Sequence, residues 1–257
     1  MLDWGYGRAK MVARATSEKT EVVVFLSDIH VPYHDHRALD SALDLIRVLR
    51  PHRVVQIGDL VDFHSISRWN TELERLDNLQ DELDEAVGVL RRIREAAPDA
   101  QFDLCMGNHD ERLKRYVAEK GRALASLRSL DFGKLLDADA VGLRIHNGHG
   151  FLLRRNFLVK HGQLIRKGAG ASAKAECLAA DISGISGHTH RLATFRQSGY
   201  NARQWTECGT LSRLDAPYVT GPPDWQQGFA VGHFGKSFLI EEVQSVGGEM
   251  FYGGVGY

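Results

Sequence analysis

Val22-Val23-Val24-Phe25-Leu26-Ser27-Asp28-Ile29-His30 is the stretch from which the fold can be read. Its apolar run, with β-branched and aromatic residues and nothing polar among them, predicts a buried strand over about 21–27. Residues two apart on a strand share a face. Asp28 and His30 are therefore expected to reach one point beyond the strand's carboxyl end, where open α/β sheets place their ligands. A carboxylate and an imidazole meeting there suggest a metal site.

Working outward, the loop His30-Val31-Pro32-Tyr33-His34-Asp35 leads into a helix over about 36–49, with Leu39, Leu43, Ile46 and Leu49 on one face and Pro51 at its end. A second strand, Arg53-Val54-Val55-Gln56-Ile57, runs into Gly58-Asp59-Leu60-Val61-Asp62. Leucines and branched residues from Leu76 to Ile93 then recur every three or four positions, predicting an amphipathic helix over about 71–96. A third strand, from Gln101 to Met106, runs into Gly107-Asn108-His109-Asp110. Three apolar strands thus end in clusters of Asp, Asn or His. Alternating strands and helices imply a largely parallel sheet with right-handed crossovers, which puts all three clusters on one edge.

Residues 1–20 lack periodicity and read as an N-terminal arm, with a single domain over 21–257. Within it, 111–140 is helical but broken by glycines, as a cap or lid over that edge would be. Beyond it, short runs such as Val141–Ile145, Phe157–Lys160 and Phe229–Phe234, separated by turn residues, predict a second sheet, with one alanine-rich helix over about 170–180. The expected class is α/β, a sandwich of two packed sheets.

A net charge of -1 over 257 residues excludes a bulk basic field for nucleic acid, though not a local patch. Three dispersed cysteines, Cys105, Cys177 and Cys208, offer no disulfide framework and point to a reducing, cytoplasmic location. Met1-Leu2-Asp3-Trp4-Gly5 lacks a signal peptide's apolar core, and no apolar run is long enough to span a bilayer, so no membrane partner is expected.

Two later clusters repeat the rule: Lys160-His161-Gly162 ends a strand, and His188 and His190 stand two apart in Ser186-Gly187-His188-Thr189-His190. The candidate ligands are Asp28, His30, Asp59, Asn108, His161, His188 and His190. Carboxylate, imidazole and amide donors without thiolate suit Mn, Fe, Zn or Ni. Seven ligands exceed what one ion takes and suit two, if one carboxylate bridges.

In order along the chain, Asp28-x-His30, Gly58-Asp59-x-x-Asp62, Gly107-Asn108-His109-Asp110, His161 and Gly187-His188-x-His190 resemble the five motifs of calcineurin-like metallophosphoesterases, over about 22–192. The nearest likeness is to small bacterial and phage members, which would place a phage-encoded protein in the host cytoplasm. The resemblance implies that Asp28, His30 and His190 hold one divalent ion, that Asp59 bridges, and that Asn108, His161 and His188 complete the second. It further implies a hydroxide bridging ions about 3.5–4 Å apart that attacks phosphorus in line. His109 would be the general acid, with Asp62 orienting its ring. Mn²⁺ is the expected metal. Arg112, Arg191, Arg213 and His64 are candidate substrate contacts, the arginines through their planar forks. His34, His146 and His149 are read as loop residues rather than ligands.

A compact chain with an intact His109 favours small phosphodiesters, such as cyclic nucleotides or short oligonucleotides. A DNA or RNA nuclease is the alternative, with Arg154-Arg155, Arg166-Lys167 and Lys174 as its basic groove. A phosphomonoesterase is a third option, but Phe63-His64 follows Asp62 where protein phosphatases would carry arginine and glycine. A scaffold that has lost its chemistry is the non-enzymatic reading, and the full set of metal residues argues against it.

Overall fold

The apolar run becomes strand β1 (Glu21–Leu26), followed by helix α1 (His36–Leu49), β2 (Arg53–Gln56), α2 (Leu79–Ala96), β3 (Gln101–Cys105), α3 (Arg112–Lys120), α4 (Phe132–Leu135) and β4 (Leu143–His146). The second half adds β5 (Phe151–Arg154), β6 (Phe157–Lys160), α5 (Ala171–Ala180), β7 (Ser183–Ser186), β8 (Leu192–Gln197) and β9 (Arg203–Cys208). The chain ends with β10 (Gly228–Phe234), β11 (Phe238–Val246), β12 (Glu249–Tyr252) and β13 (Val255–Gly256). This computed structural model describes residues 20–67, 78–216, 219 and 221–257. The expected arm over 1–20 lies almost wholly outside the described residues, and so does the whole of 71–77 of the expected long helix.

One sheet has the order β13-β12-β11-β10-β1-β2-β3-β4, and the other β5-β6-β7-β9-β8. The strand period of two sorts the core. Val24 and Leu26 face the layer of α1 and α2, while Val23 and Phe25 face the second sheet. Between the sheets, Phe25, Phe157, Phe234 and Phe238 pack ring against ring, Phe157 standing edge-on to Phe234 with centroids 5.1 Å apart. Ala173 and Cys177 of α5 cover the outer face of the second sheet over the buried Trp205. The layers run helix, sheet, sheet, helix.

Helix starts follow their caps. Asp35 Oδ1 accepts from Arg37 N at 3.0 Å and Ala38 N at 3.1 Å at the head of α1. Asn78 Oδ1 accepts from Gln80 N at 3.0 Å at the head of α2, which begins at Leu79. Strands β1 to β3 are parallel, as expected. Two of the later runs belong elsewhere than expected. Leu143–His146 extends the first sheet beside β3, and Gly228–Phe234 lies antiparallel to β1 at its centre. A run's own alternation does not encode its partner. The near-total burial of β10, however, is that of a strand covered on both faces.

Candidate metal centre

Five of the seven candidate ligands depart from the extended backbone. Asp28 has φ 50°, His30 53°, Asp59 50°, His188 72° and His190 57°, all in the left-handed region. Strand β1 stops at Leu26, so Asp28 and His30 converge through two left-handed kinks, not through the strand period the sequence implied. Asp and His tolerate this region better than bulky residues, and each instance costs on the order of 1–3 kcal/mol. Backbone bonds to the next loop hold the kinks: Asp28 N donates to the Gly58 carbonyl at 3.1 Å and His30 N to that of Asp59 at 2.9 Å.

The third loop is spliced to the second by Asp110, which the sequence reading left without a role. Its buried carboxylate accepts from Gly107 N at 2.8 Å, Asp59 N at 2.9 Å, Leu60 N at 3.0 Å and Val61 N at 3.3 Å. Burial and the Asp59 carboxylate push its acid up to about 6, against donors that favour the anion. Glycine is required at Gly107, where a Cβ would land on Asp59 Oδ1.

The loops bring two ligand groups together. In the first, His190 Nε2 lies 3.0 Å from His30 Nε2 and 3.3 Å from Asp28 Oδ1. In the second, His161 Nε2 lies 3.1 Å from both Asp59 Oδ2 and Asn108 Oδ1, and 3.2 Å from His188 Nδ1. Asp59 Oδ2 also stands 3.7 Å from His30 Nε2, between the two groups. The two groups bring together all seven residues that the sequence singles out.

The outward nitrogens fix the inward ones. His30 Nδ1 donates to Asp62 Oδ2 at 3.0 Å and His161 Nδ1 to the Ile57 carbonyl at 2.8 Å, leaving each Nε2 as a lone pair aimed at other acceptors. Acceptors packed this closely need protons or cations between them. Burial opposes charge on His30, yet Asp28, Asp62 and Asp59 raise it to about 10. The Asp59 carboxylate raises His161 to about 9, again against burial. Burial would raise the acids of Asp28, Asp59 and Asp62, but the facing imidazoles hold all three well below the usual range. Anions fixed against lone pairs form a donor set that fits two divalent ions.

His109 stands beside both groups, its Nε2 3.9 Å from Asp59 Oδ2. Its Nδ1 donates to the Asp62 carbonyl at 3.0 Å and lies 3.4 Å from Asp62 Oδ2, whose shorter bond is to His30. Arg112 donates to His109 Nε2 at 2.9 Å and to the Asp62 carbonyl at 2.7 Å. Of the other candidate contacts, Arg191 is tied to Asp224 and the Arg166 carbonyl, and Arg213 forks onto Asp215. His64 opens the short turn His64–Ile66, and the residues after it line a cleft of about 440 Å³ with Asn108, Arg112, Arg115, Tyr116 and Lys120. The sequence also gave no sign of Trp225, whose ring lies 4.3 Å from that of His190, or of Thr210, which donates to the Asp28 carbonyl at 2.7 Å.

A family model described as calcineurin-like phosphoesterase matches residues 22–192. The chain is similar to the Gene 54 protein of Mycobacterium phage L5, 29% identical over 224 residues that cover 81% of this chain and 87% of the phage protein. Its counterpart in Mycobacterium phage D29 is 28% identical over 225 residues, with the same coverage. Among solved structures, Vps29 of Entamoeba histolytica complexed with Zn²⁺ aligns with a TM-score of 0.50 at 17% identity, covering 90% of this chain and 96% of that one, a likeness of fold.

Proposed function

The chain belongs to the calcineurin-like phosphoesterase family, and from that premise we propose a phosphodiesterase that uses two divalent ions, Mn²⁺ first among the candidates, on small diesters such as cyclic nucleotides or short oligonucleotides. The observation that carries this reading is Asp59 Oδ2, 3.1 Å from His161 Nε2 and 3.7 Å from His30 Nε2. A carboxylate oxygen shared between two ligand groups is what a pair of ions requires. Asp28, His30 and His190 would hold one ion, and Asn108, His161 and His188 the other. When bound, such ions neutralise charge on phosphoryl oxygens and make a water acidic near neutral pH.

The chain's own residues govern the leaving group. His109 is steered by the Asp62 carbonyl at Nδ1 and faces the centre with Nε2. Arg112 donates into that Nε2, so the nitrogen is an acceptor until the guanidinium turns away. An incoming phosphate is the natural acceptor for that fork. Substrate binding then exposes Nε2, which takes up a proton from solvent to give the imidazolium and passes it to the departing alkoxide oxygen, leaving the ring neutral with its proton on Nδ1. A poor alkoxide leaving group needs that proton, which favours diesters. Segment 111–140 would shape the pocket, since α3 lines the cleft beside His109. The nuclease reading is weaker: Arg154 pairs with Glu21 at the start of β1, the end of the strand away from the centre.

Chelator-stripped, Mn²⁺-restored protein should hydrolyse a chromogenic phosphodiester faster than its monoester, and Asp59→Ala should abolish turnover. Faster monoester turnover would replace the reading with a phosphomonoesterase. Absence of metal-dependent turnover of both would remove it.

A further inference from the structure

Among the described residues, one group of metal-ligating side chains lies outside the Asp59 centre. We propose that His34, His36 and Glu85 form a further metal site, for a borderline divalent transition ion such as Zn²⁺, that pins the loop after β1 to α2.

His34 is only 2% exposed, and its Nδ1 is buried without a hydrogen-bond partner. Leaving such a nitrogen unsatisfied costs about 1–3 kcal/mol. Glu85 Oε1 lies 3.7 Å from it, too far for a hydrogen bond but suited to two ligands of one ion, each about 2 Å from the metal. The His36 ring stands edge-on to that of His34, with centroids 4.4 Å apart at 79°. One ligand atom from each of the three residues lies within 4.8 Å of the others.

The chemistry suits a cation. Burial, with His36 and Arg92 nearby, pushes His34 down to about 4, so the ring is neutral at pH 7, as a ligand must be. The Arg92 guanidinium is itself held by Asp40. Asp35, lying between the two histidines, is committed elsewhere: its oxygens accept from Arg37 N, Ala38 N and Gln227 Nε2. Two imidazoles and one carboxylate, with water completing the shell, favour Zn²⁺ or its neighbours over Mg²⁺ or Ca²⁺. The exposed His36 and the 40% exposure of the Glu85 side chain leave a way in. His34 stands four residues beyond His30, and α2 supplies the only ligand from outside that segment. An ion here would fasten a loop that carries the catalytic centre.

Equilibrium dialysis of chelator-stripped protein against Zn²⁺, followed by elemental analysis, tests this without an activity readout. Wild-type protein should hold about one equivalent more than His36→Ala or Glu85→Gln, both altered at accessible positions. Asp59→Ala should lose metal at its own centre yet still lose a further equivalent when His36→Ala is added. The same Zn²⁺ content in wild type, His36→Ala and Glu85→Gln would overturn the site, whatever ester the enzyme prefers.

Discussion

His109 is restrained at both ring nitrogens, by the Asp62 carbonyl and by the Arg112 guanidinium. The two restraints make separable predictions. His109→Ala should lower kcat by about 10²–10⁴ on a diester with an alkyl leaving group, and far less on one releasing a nitrophenolate, which departs without a proton. A loss independent of the leaving group would deny the ring its acid role. Arg112→Ala removes the fork that must transfer from His109 to phosphate. KM should rise about tenfold or more, the worth of one charge-assisted hydrogen bond, and Arg112→Lys should recover only part of it. Steady-state kinetics with KM unchanged in Arg112→Ala would take that residue out of the substrate's path.

At the scale of loops and strands, Asp110 is the splice on which the centre depends, since its four N–H donors come from two different loops. Asp110→Asn keeps the shape but offers one carbonyl oxygen in place of two, leaving about two donors unanswered. Metal-free protein should lose about 2–4 kcal/mol in urea unfolding, and metal content should fall with it; an unchanged midpoint would show the splice to be dispensable. This residue also marks how far a sequence can be read. The apolar faces of α1 and the ends of β1 to β3 are local periodicities, so the helix over 36–49 and the edge that gathers the clusters are legible. The left-handed φ angles of Asp28 and His30 are not, because alternation describes strand and kink alike until the neighbouring loop is known. Nor are the partners of β4 and β10, the second role of Asp62 against His30, or Trp225 beside His190. Each is a contact between distant parts of the chain. His34, read as a loop residue, is buried for the same reason: α2 packs over it.

For the molecule as a whole, folding forces Asp28, Asp59, Asp62 and Asp110 into one buried volume, each 1% exposed or less. Such a concentration of negative charge is tolerable only with compensating cations. In metal-free protein those are protons, and His30 and His161 take them up more readily folded than unfolded, with values near 10 and 9. Their stabilising contribution is complete below the unfolded value of about 6.5 and is lost as pH rises through 9 and 10. Divalent ions compete for the same lone pairs. At pH 6 they must displace these protons, whereas near pH 9.5 His161 and part of His30 are already free. The melting temperature of metal-free protein should therefore fall between pH 6 and 9.5, while that of metal-loaded protein holds, so the gap between them widens with pH. Binding at pH 7.5 should also release protons, visible as a dependence of the calorimetric enthalpy on the buffer's ionisation enthalpy. A gap that narrows with rising pH, together with binding that releases no protons, would mean that His30 and His161 do not hold the ions, and the two-ion centre would have to be drawn from other residues.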